Sequence, residues 1–214
     1  MEKPTRRRLL AAGFSGTALS LLGSRAVSAS PDTTTPTGDE GSGPPESAAT
    51  TTTEPPQRPT PDDVPLLQFA ESFELAARDL YQAAIDAGAE EETLPALRDN
   101  HQAAASILKG MLGTQSASSR SDDVFDRFER DFSTTDIPAL ATVGYELEST
   151  AVATHTELVG ELVGIDGAHL IASILVVEAR QAVVMADLGG RGDDFDALFE
   201  NDAQPLSPGP TSGG

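Results

Sequence analysis

The chain has 214 residues, 38% of them apolar and 5% aromatic, no cysteine, and a net charge of −20 from 14 basic and 34 acidic side chains. The lack of cysteine excludes disulfides, thiolate metal sites, a cysteine nucleophile and a lipidated cysteine anchor. So acidic a surface repels nucleic acid and anionic lipid, which excludes both as partners.

Thr5-Arg6-Arg7-Arg8-Leu9-Leu10 sets an arginine pair directly before an apolar stretch that ends in the small-residue context Ala26-Val27-Ser28-Ala29-Ser30. The stretch is too short to span a bilayer comfortably and has the order of an export signal. It resembles a twin-arginine (Tat) signal, which implies the Tat translocase as a partner during export, an extracytoplasmic location and no stable membrane span once residues 1–29 are removed. Only Lys3 and Lys109 stand beside twelve arginines. This acid-rich, lysine-poor balance suggests a halophilic protein whose self-repulsion is screened by salt.

Residues 30–63 are Ser, Thr, Pro, Gly and acid with almost no large apolar side chain, so they read as a disordered linker. Helical spacing begins after it. Leu66, Phe69, Ala70, Phe73, Ala77, Leu80, Tyr81 and Ala84 make one stripe of a helix over about 64–87, stopped by Gly88. A second helix is expected over 94–112. After a polar connection holding an amphipathic segment (Val124, Phe125, Phe128, Phe132), a third starts at Ile137-Pro138 and runs to about 163. The fourth, about 168–188, is apolar nearly all round and is expected to be the most buried. Residues 191–214 read as an acidic flexible tail in which Phe195, Leu198 and Phe199 dock. The short Arg191-Gly192-Asp193 and Asp193-Asp194-Phe195-Asp196 patterns are too brief to carry a function. Two short outer connections and one long middle one predict an all-α four-helix bundle with one crossover over 64–190.

Chemistry in such a bundle lies at polar residues whose i±3, i±4 and i±7 neighbours are apolar. Glu74, His101, Glu148, Glu178 and Gln181 meet that test, with Arg98 partly inward. The layout repeats internally: Glu74 corresponds to Glu148, Arg98 to Glu178, His101 to Gln181 and Tyr81 to His155. One Glu from the first helix and an i, i+3 pair from the second, used twice, is the plan of di-iron carboxylate bundles. No phosphate-binding loop, Ser/His/Asp ordering or zinc-protease helix is present.

The segments Leu67-Gln68-Phe69-Ala70-Glu71-Ser72-Phe73-Glu74, Leu147-Glu148-Ser149-Thr150-Ala151-Val152 and Ala172 to Ala182, with its Glu178-Ala179-Arg180, resemble the ferritin-like superfamily. Within it, the resemblance is to exported ferritin-like domains of bacteria and archaea. It implies Glu on the first and third helices and Glu-x-x-His on the second and fourth. Here Arg98 stands where a Glu would be and Gln181 where a His would be, so the di-iron site is degenerate.

Two readings follow. In the metal-free one, Arg98 faces Glu178, a protonated His101 offsets a second carboxylate and Gln181 donates to the third. The domain is then a non-catalytic structural or interaction module outside the membrane. In the other, Glu74, Glu148 and His101 hold a single iron, manganese or zinc, and the protein acts in iron or peroxide stress defence. A full two-metal site would need Asp99 or His155 as substitute ligands; otherwise His155 and His169 read as core or interface histidines. Iron storage is the least expected role. A homo-oligomer is compatible with every reading.

Overall fold

A computed structural model describes residues 55–208; the expected signal at 1–29 and most of the expected linker lie outside the described residues. Among the described residues there are six α-helices and no strand: α1 (Asp63–Asp86), α2 (Leu94–Leu112), α3 (Asp122–Phe132), α4 (Ile137–Glu161), α5 (Ile165–Leu188) and the short α6 (Phe195–Phe199). The four long ones form the expected bundle, and the crossover from α2 to α4 carries α3.

Each boundary has a local cause. Gly88 takes the left-handed conformation (φ 91°) that ends α1, and Pro95 and Pro138 sit in the first turns of α2 and α4. The Ser121 and Asp136 side chains accept from the Val124 and Ala139 N–H groups and cap α3 and α4. α5 begins three residues earlier than its periodicity suggests, because the Pro56 and Gln57 carbonyls accept from the Ile165 and Asp166 N–H groups. That cap comes from a segment a hundred residues away in sequence, so no local signal marks it.

Apolar burial holds the bundle together. Phe73, Leu80, Tyr81, Phe132 and Leu147 are wholly buried at the α1–α3–α4 side, each contributing about 1.5–3 kcal/mol. At the other end Leu67, Leu108, Leu158 and Ile171 form a second cluster. α3 buries Val124, Phe125, Phe128 and Phe132, as its periodicity predicts, and lies across α1 and α4.

The structure corrects two expectations. α5 is not the most buried helix: only 28% of its 18-residue apolar window is inside, and Val176, Val177 and Val183 face outward. The reason is placement, since α3 covers the α1/α4 side and leaves the outer face of α5 open. Nor is the whole segment after 191 a loose tail. Tyr145 donates to the Ala197 carbonyl, Asn201 to the Ser149 carbonyl, and the Leu206 N–H to Thr154 Oγ1, fixing the segment along α4. Ala197 and Leu206 dock there, whereas Phe195 and Phe199 stack on each other in solvent.

Asp63 joins the ends of three helices. Its buried carboxylate accepts from the Val163 and Gly164 N–H groups at 2.7 and 3.0 Å, and from the N–H and hydroxyl of Thr60 at 2.7 and 2.9 Å. The start of α1 therefore sits beside the α4–α5 turn, so α1 and α5 start at one end of the bundle and α2 at the other. Gly164 is required there, because a Cβ would lie 2.6 Å from the Arg58 carbonyl oxygen.

Burial pushes the Asp63 carboxyl up, but the hydrogen bonds from Thr60, Val163 and Gly164 more than offset this and hold it below its ordinary value. Its contribution to stability is therefore present above the ordinary carboxylate range and fades as pH falls through the lowered value. Asp63→Ala should cost about 1–3 kcal/mol in urea unfolding at neutral pH. The gap to the unaltered protein should narrow on acidification.

Candidate metal centre

Four helices each send polar side chains to one level of the interior. α1 supplies Glu74 and Tyr81, α2 His101, α4 Glu148 and His155, and α5 Glu178 and Gln181, all of them buried. The helical period sets this: Glu148 and His155 are two turns apart on one face of α4, as Glu74 and Tyr81 are on α1.

One half of the cluster is closed by hydrogen bonds. Tyr81 donates to Glu148 Oε1 at 2.5 Å and lies with its ring stacked on that of His101, centroids 5.6 Å apart. The Gln181 amide donates to Glu148 Oε2 at 3.2 Å and accepts from Asn100 at 3.0 Å. His101 reaches both halves, with Nδ1 2.8 Å from Glu74 Oε2 and Nε2 3.2 Å from Glu148 Oε1. Burial disfavours the imidazolium, but Glu148 and Glu74 on either side outweigh it and raise its pKa well above the ordinary value.

The other half is open. His155 Nδ1 lies 2.6 Å from Glu178 Oε2, and its Nε2 lies 3.7 Å from Glu74 Oε1. Glu74 Oε1, His155 Nε2 and Glu178 Oε1 are buried without a hydrogen-bond partner. Burial and the neighbouring Glu74 carboxylate push Glu178 well above the ordinary carboxylate range. Burial also acts to raise Glu74, but the charge and hydrogen bond of His101 reverse it and leave Glu74 low. Burial lowers the pKa of His155. Glu74, His101 and Glu178 each offer a ligand atom within 4.8 Å of the others.

Glu74, His101, Glu148, Glu178 and Gln181 thus converge as their periodicity implies, and Gln181 donates to a glutamate as expected. Arg98 does not join them. Its guanidinium stays half-buried at the rim, bonded to Gln82 at 3.0 Å and Asp99 at 2.7 Å, and His155 takes the place beside Glu178. A guanidinium at the rim keeps its hydration, which burial would remove. Glu148 is the second departure: Tyr81, His101 and Gln181 occupy its oxygens, so Glu178 replaces it beside Glu74 and His101. Asp99 and His169 are exposed and outside the site. His155 is inside it, and the signal was present in its match to Tyr81 in the internal repeat.

The ferritin-like domain family model matches residues 62–191, which hold α1 to α5. The chain belongs to the ferritin-like domain family. No curated protein and no solved structure matches it.

Ferritin-like domains bind metal between facing helices, and the donors here suit one ion better than two. Two carboxylates and two imidazoles lie together, and three of their buried atoms lack partners, as ligand atoms would without their ion. The half that would serve a second ion is filled by Tyr81, Gln181 and Asn100.

Tyr81→Phe keeps the ring packed on Phe132 and His101 but removes the phenolic donor to Glu148. The variant should lose about 1–3 kcal/mol in urea unfolding, from a buried carboxylate left short of a donor. An unchanged midpoint would mean that the phenol contributes nothing to holding Glu148.

Proposed function

We propose that this is an exported ferritin-like protein holding a single transition-metal ion, iron or manganese, with a role in iron or peroxide defence outside the membrane. The observation that carries the reading is the trio of buried, unpartnered ligand atoms on Glu74, His155 and Glu178. The alternative is a metal-free structural module in which Glu178, with Arg98 bonded to Gln82 and Asp99 instead, keeps its proton against Glu74.

In this reading Glu74 and Glu178 supply charge to the ion, and His101 and His155 supply imidazole nitrogens. Glu148 is not a ligand; with Tyr81 and Gln181 it orients His101 from behind. The bound ion would supply one-electron redox chemistry toward oxygen or peroxide. Apolar walls from Phe73, Leu147 and Ile174 exclude bulk water from that reaction. Residues 1–29 act as a Tat signal, the linker holds the domain away from the membrane, and the acid-rich surface suits concentrated salt.

Protein recovered after export without chelator should contain stoichiometric iron or manganese by elemental analysis. Glu74→Ala and Glu178→Gln should lose it and Arg98→Ala should keep it, with helical content checked by circular dichroism. Protein that stays metal-free after incubation with Fe(II) and with Mn(II) would sink this reading in favour of the structural one.

Export is tested separately. Replacing Arg6 and Arg7 together by Lys should leave the precursor in the cytoplasm on fractionation, whereas normal export of that variant would rule out the twin-arginine route.

A further inference from the structure

Acidic side chains are spread along the helical domain with two gaps. None occurs from 100 to 121, and from 167 to 186 the only one is the buried Glu178. The gaps cover most of α2 and α5. These two helices are neighbours, linked by the Asn100–Gln181 bond, and they run antiparallel. Ile107, two turns beyond Asn100, is therefore level with the stretch of α5 preceding Gln181. On these two helices Ile107 and Val176 are each 56% exposed, and Val177 and Val183 38% and 41%, with the exposed cations Lys109 and Arg180 among them. The opposite side is covered by α3, which lies across α1 and α4.

We propose that the α2/α5 face is the contact between two copies of this chain, paired about a twofold axis. The charge distribution selects the occupant. In a twofold interface a patch meets itself, so on a chain of net charge −20 any acidic patch would repel its own copy. The α2/α5 face is the broad helical surface from which acids are missing, while the remaining surface keeps assemblies from growing further. An acidic chain is also poorly suited to anionic lipid. Two helices side by side, each some 30 Å long, present about 600 Å² per copy, comparable with the roughly 800 Å² per partner of a standard interface. Pairing two chains of this charge is opposed by long-range repulsion, so salt strengthens the dimer.

Sedimentation of the purified full chain in moderate and high salt should give a dimer mass, with the dimer favoured by salt. Val176→Glu and Ile107→Glu should each raise the dissociation constant at least about tenfold with helical content unchanged, because each buries two added acids in the contact between two chains that already repel. The chain has no cysteine, so a single introduced thiol reports the geometry even where a charge variant fails to fold. Under mild oxidation Val176→Cys should form a disulfide-linked dimer and Phe199→Cys should not. A monomer at every salt concentration, a dimer indifferent to both glutamates, or a monomer that sediments with phosphatidylcholine vesicles through this face would each overturn the proposal. None of these outcomes depends on whether metal is bound.

Discussion

Three glutamates at one level of an apolar bundle are the constraint around which the rest of the interior is arranged. An isolated carboxylate in such surroundings is costly to ionise, so each needs a cation, a donor or a proton. The two halves of the bundle meet that need differently. Glu148 takes a phenol, an imidazole and an amide, and its oxygens are satisfied within the protein. Glu74 and Glu178 share the two histidines, and each keeps an oxygen with no partner. One set of helices thus contains a finished polar network and an unfinished one.

The difference traces to a few side chains related by the internal repeat. Tyr81 and His155 occupy equivalent positions, yet the first donates a hydrogen bond to Glu148 and the second lies against Glu178 with its Nε2 unpartnered. His101 and Gln181 are equivalent too: the imidazole bridges Glu74 and Glu148, while the amide donates to Glu148 and accepts from Asn100. A symmetric backbone with asymmetric side chains gives one closed lobe and one with ligand capacity. That is the physical content of calling the site degenerate.

The fold was legible in the sequence because helical periodicity and glycine and proline stops are local signals, and α2 has the bounds its spacing gives. The converging glutamates were legible for the same reason, since apolar neighbours mark an inward face. The direction of Arg98 was not. A long side chain at the edge of a stripe can turn inward or outward, and what decides is whether Gln82 and Asp99 lie within reach, which is tertiary information. Asp63 and Glu71 escaped notice because their partners are distant backbone N–H groups: Val163 and Gly164 for one, Ala117 and Ser118 for the other. No spacing rule in the chain encodes such contacts.

The same limit explains α5. Its composition says apolar all round, which in a symmetric bundle would mean buried all round. Burial, however, depends on what lies opposite, and the crossover sends α3 over α1 and α4. Ser121, whose N–H donates to the Ser72 carbonyl, and Glu71, which binds Ser116 and the N–H groups of Ala117 and Ser118, anchor the crossover on that side. The contacts that shield one flank of the candidate metal centre therefore leave the other flank, α2 and α5, uncovered and almost free of acids. Within the chain, acids are withheld from that flank and abundant elsewhere, so hydropathy and charge single out the same surface from separate directions.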